Sequence, residues 1–132
     1  MVEELLVGNN LTDDMKLSGK KLVEILDNSG FPISGALWIY QSDYGRWIFY
    51  LATSEVIING PKKAYKKLST ILEKNKDLNI RLINIQILDE SDMFIRLLKT
   101  AFKTENSITG IRVSGSSIAG MYIDDAYIYR LV

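Results

Sequence analysis

The chain has 132 residues, 16 basic and 16 acidic side chains and a formal net charge of zero, which fits one ordinary globular domain. It contains neither cysteine nor histidine. That excludes a disulfide scaffold, a thiol nucleophile, a Ser-His-Asp triad and thiolate- or imidazole-ligated zinc.

The first fifteen residues have no clean period, and their acidic start lacks the basic region of a secretory signal. We read them as a possible N-terminal arm with a short strand at Glu4–Val7. No stretch approaches the roughly 18 apolar residues of a membrane span, so the expected location is the cytoplasm. Residues 16–29 carry Leu22, Val23, Ile25 and Leu26 at helical spacing, with Ser18 as the expected N-cap. Asn28-Ser29-Gly30 and Pro32 supply the stop.

Residues 35–41 and 46–53 are rich in aromatic and branched side chains and flank Ser42-Asp43-Tyr44-Gly45, a hairpin signal. The segment Ser54–Gly60 reads as a short third strand, and Asn59-Gly60-Pro61 as the start of a second helix running to about Lys74. Residues 80–88 alternate as a strand, with Ile83, Ile85 and Ile87 on one face. Ser91 or Asp92 caps a third helix that ends near Thr104. The last quarter reads as a strand at 108–114, a turn at Gly115-Ser116, and a long strand from Ile118 to Leu131 bent at Asp124-Asp125. The expected fold is a single α+β domain: a mostly antiparallel sheet of about five strands with three helices, mainly on one face.

Closing the hairpin symmetrically places Trp38, Tyr40, Trp47 and Phe49 on one face and Leu37, Ile39, Ile48 and Tyr50 on the other. Both faces are apolar, and three helices on one side leave the other to be covered. The aromatic quartet reads as core, as a subunit interface or as a stacking platform. Zero net charge hides a second feature. Residues 62–76 hold six lysines against Glu73, a local charge of +5, and Lys62, Lys63, Lys66 and Lys67 fall opposite the apolar stripe of their helix. They read as a solvated face or as a phosphate-binding one.

Other patterns carry less. Ser18-Gly19-Lys20-Lys21 matches a Ser-x-x-Lys string without its companion motifs. The glycines at 110, 115 and 120 lack the following helix that a phosphate loop needs. Arg46, Arg112, Tyr129 and Arg130 have no evident structural task and form a candidate anion- or partner-binding set. Strand alternation turns Arg130 away from Tyr129 and toward the face of Arg112. No metal or cofactor site is expected.

Two segments, GFPISGALW at 30–38 and GMYIDDAYIYR at 120–130, resemble small prokaryotic proteins of similar length to which no function is attached. The resemblance implies a stand-alone protein and carries no site residue. The expected function is a non-enzymatic binding or accessory module that self-associates through the aromatic-rich sheet. The alternatives are a nucleic-acid-binding protein or histidine-free ribonuclease using the lysine helix, and a binder of a small planar ligand.

Overall fold

The computed structural model describes residues 10–132. The strand expected at Glu4–Val7 lies outside the described residues. Helix α1 (Asp13–Asn28) is followed by strands β1 (Gly35–Gln41) and β2 (Arg46–Thr53). A short helix α2 (Glu55–Asn59) and helix α3 (Pro61–Glu73) lead through a 3-10 turn (Leu82–Asn84) to β3 (Ile85–Asp89). Helix α4 (Met93–Phe102) and the hairpin β4 (Ile111–Ile118) and β5 (Met121–Leu131) complete the chain. The fold is α+β: one five-stranded sheet in the order β3-β2-β1-β5-β4, antiparallel except for the parallel β2–β3 pair.

The hairpin pairs as its loop dictates, with Trp38 opposite Phe49, Tyr40 opposite Trp47 and Gln41 opposite Arg46. Its two faces feed two clusters. On one side Trp38, Trp47, Phe49 and Leu51 pack with Leu22, Val23 and Leu26 of α1 and Ala64 and Leu68 of α3. On the other, Leu37, Ile39 and Ile48 pack with Ile95 and Leu98 of α4 and with Val113, Ala126 and Ile128. The chain's own helices therefore cover both faces of the hairpin, which corrects the expectation that one is left bare.

Several boundaries differ from the sequence reading, each for a local reason. α1 starts at Asp13, where the Thr12 hydroxyl accepts the Met15 amide at 3.1 Å. Ser18 is buried inside the helix and caps nothing. Ser54–Gly60 is not a strand. Its branched residues form α2, closed by an Asn59 to Glu55 side-chain bond across one turn. α3 is capped by Gly60, at φ +87°, rather than by Asn59. The 3-10 turn takes the first part of the expected 80–88 strand and leaves Ile83 exposed. Asp92 caps α4 as read, accepting the Phe94 amide at 2.9 Å.

The β4–β5 turn is at Ala119-Gly120, both at positive φ, while Gly115 lies within β4. β5 keeps one register with β4 on either side of Asp124, and the local distortion falls on the facing Gly115, at φ +55°. The irregularity of β5 is elsewhere. Ala36 pairs with Arg130 and Leu37 with Ile128, so Tyr129 is an extra residue in β5. This bulge turns Tyr129 and Arg130 toward α1 together, where strict alternation would have separated them.

Candidate functional site

α3 owes its position to Ala64 and Leu68, which are buried against the sheet, with Tyr65, Ile71 and Leu72 beside them. This apolar side fixes the lysines outward. Lys63, Lys67, Thr70 and Lys74 follow one another by four, three and four residues and so form one stripe of the helix. Across from the stripe stands the α1–β1 turn, Ser29-Gly30-Phe31. Between them lies an open groove of about 630 Å³ lined by Lys63, Lys66, Lys67, Lys74, Thr70 and Glu55, among others.

Glu55 is the only acid on the groove wall, and its charge is already matched. Its carboxylate accepts Lys67 Nζ at 3.0 and 3.1 Å and the Asn59 amide at 2.6 Å. These bonds, that from Asn59 first, hold the carboxyl below the usual glutamate range. Lys63, Lys66 and Lys74 make no ion pair among the described residues. The groove is thus a row of cations with one internal counter-ion.

A folded-state pKa below the unfolded one adds stability above the ordinary glutamate range and loses it as pH falls through the folded value. Glu55→Gln should therefore melt below the wild type at neutral pH, and the gap should close on acidification below pH ~4. Thermal melts of both proteins across that range check this. A gap that persisted at acid pH would show that the introduced glutamine side chain itself disturbs packing.

The other sequence-selected residues occupy different places. Trp38, Trp47 and Phe49 are buried within the chain, and Tyr40 is half-buried. Trp38 and Phe49 meet edge to face at 5.0 Å, and Trp38 Nε1 donates to the Met15 carbonyl of α1 at 3.1 Å. Buried as they are, Trp38, Trp47 and Phe49 offer no stacking platform.

Arg112 and Arg130 do lie on the same side of the sheet, but each meets its own carboxylate. Arg112 forms a two-pronged pair with Asp125 and sits 5.9 Å from the Trp47 ring centre. Arg130, 4% exposed, grips Asp27 of α1 at 2.8 and 2.9 Å. Tyr129 donates to the Lys16 carbonyl at 2.7 Å, and burial raises its pKa. Arg46 lies over the exposed ring of Tyr44 at 5.2 Å, near the β1–β2 turn. The expected anion spot is filled by the chain's own acids.

Lys62 points outward but does not line the groove. Glu55, Thr70 and Lys74 were not singled out as site residues by the sequence, which read Asn59 and Ser29-Gly30 only as helix boundaries. The four-residue spacing of Glu55 and Asn59 was the available signal, masked by the branched residues between them. Among the described residues no group of acidic side chains comes together as a metal site, and no helix is long and apolar enough to cross a membrane. Compared with family models, curated proteins and solved structures, the chain finds no match.

Proposed function

We propose that the protein is a non-enzymatic binding module whose working surface is the α3 groove and whose ligand is a nucleic-acid strand held through its phosphates. The observation that carries this reading is the row Lys63, Lys66, Lys67 and Lys74 along one open groove, against a single neutralised acid. Zero net charge over the whole chain does not oppose it, because phosphate contacts act over about a Debye length, roughly 8 Å at physiological salt. The groove also fits the reading better than the aromatic quartet does, since Trp38, Trp47 and Phe49 are inaccessible. The one carboxylate in the groove, Glu55, is held ionised by Asn59 and Lys67.

Binding of labelled single-stranded RNA, read by fluorescence anisotropy, tests this. Three or four phosphate contacts predict that affinity falls about 20- to 50-fold between 50 and 200 mM salt. Lys66→Glu with Lys74→Glu should remove most of the binding and leave the melting temperature within a few degrees. A wild-type protein that fails to bind at low salt would end the reading.

A further inference from the structure

The groove also shows how such a ligand would be read. From Lys63 to Lys74 the stripe rises about 16 Å along α3. One strand carries a charge about every 3.4 Å when stacked, so the row lies against roughly five phosphates. The neutral side chains beside it each spend a donor within the chain. Ser29 Oγ donates to the Ile25 carbonyl at 2.7 Å, Thr70 Oγ1 to the Lys66 carbonyl at 3.1 Å, and Asn75 Nδ2 to the Ile71 carbonyl at 2.8 Å.

Base reading needs either free donors and acceptors aimed at base edges or an exposed ring for stacking. The one aromatic residue on the groove wall, Phe31, is 3% exposed and belongs to the core. The exposed rings of Tyr44 and Tyr122 sit beside the β1–β2 turn, at the opposite end of β2 from Glu55. The free charged groups of the groove are therefore all ammonium groups, and no exposed ring stands among them.

We infer that the groove reads a linear chain of phosphates and not the bases attached to it, so that phosphodiester and phosphoanhydride polymers are equivalent ligands. This rests on the proposed groove function and narrows it to a ligand class. Glu55 is then a resident competitor. A phosphate reaching Lys67 must share its ammonium with a carboxylate already bound there.

The test uses the intact protein with labelled oligouridylate and oligoadenylate of equal length. Unlabelled inorganic polyphosphate serves as competitor, and phosphatidylserine vesicles as a second polyanionic surface. The two oligonucleotides should bind within about threefold of each other, and polyphosphate should displace both, because all ligands share the same counterion release. Glu55→Gln should tighten binding several-fold and steepen the salt slope by about 0.7, the increment for one further phosphate on a single strand. A preference above tenfold for one base, or failure of polyphosphate to compete, overturns this inference and leaves the groove reading standing. Binding to vesicles alone, or to none of these polymers, overturns both.

Discussion

Asp27→Ala is expected to destabilise the fold by about 3–5 kcal/mol, although Asp27 lies on the outer part of a helix. Alanine is the better helix former, so α1 in isolation would gain from the change. The cost arises at the partner. Arg130 is 4% exposed, and without Asp27 its guanidinium keeps only a long 3.4 Å bond to the Ile33 carbonyl. A buried charge left without its counter-ion costs far more than the pair gains when made. Thermal denaturation should show a fall of about 10 °C or more for a chain of this size. Asp125→Ala is the control. It breaks the Arg112 pair, whose arginine side chain is 41% exposed, and should cost no more than about 1 kcal/mol. Equal losses in the two variants would show that burial of Arg130 is not what matters.

The second large effect is expected at Gly19, also in α1. A methyl group at an exposed helical glycine usually stabilises by about 0.5–1 kcal/mol. At Gly19 the added carbon would stand 2.7 Å from Tyr129 Cζ and 2.8 Å from Cε2, well inside contact distance. Tyr129 cannot swing aside, because it is 2% exposed, packs on Phe49 at 5.8 Å and bonds the Lys16 carbonyl. Gly19→Ala should therefore cost about 3 kcal/mol, the upper end for overpacking. Combining it with Tyr129→Phe, which removes the nearest atom, should recover part of the loss. Strict additivity of the two changes in denaturant melts would refute the interlock.

These two positions show where the sequence was legible. Local signals were read well: the Ser42–Gly45 loop set the hairpin register, Asp92 its helix cap, and Pro61 the first turn of α3. Positions that answer to distant residues were misread. Ser18 looked like a helix cap, yet the helix runs on through it to Gly19, which is glycine because of a ring 110 residues later. Ser54–Gly60 looked like a strand because Val56, Ile57 and Ile58 favour one, and the Glu55 contact with Lys67 lies outside that window. Of the lysine row, Lys63, Lys66 and Lys67 were visible from periodicity alone, while Lys62 falls outside the groove and Lys74 extends it. The groove was not, because its other wall belongs to the α1–β1 turn.

The place of β5 in the sheet has a consequence for biosynthesis. Among the described strands it is the last in sequence, yet it lies between β1 and β4 rather than at an edge. A nascent chain still lacking it holds β1 with one side unpaired, and Asp27 and Gly19 without the residues they wait for. Closing β1 onto β5 spans some ninety residues, so local hairpins and helices form before the sheet can be joined. Until then the aromatic strand is an open template for other strands. The chain should therefore be most prone to aggregate in the interval before β5 docks, and a chaperone acting on it would be needed to shield β1 over that interval.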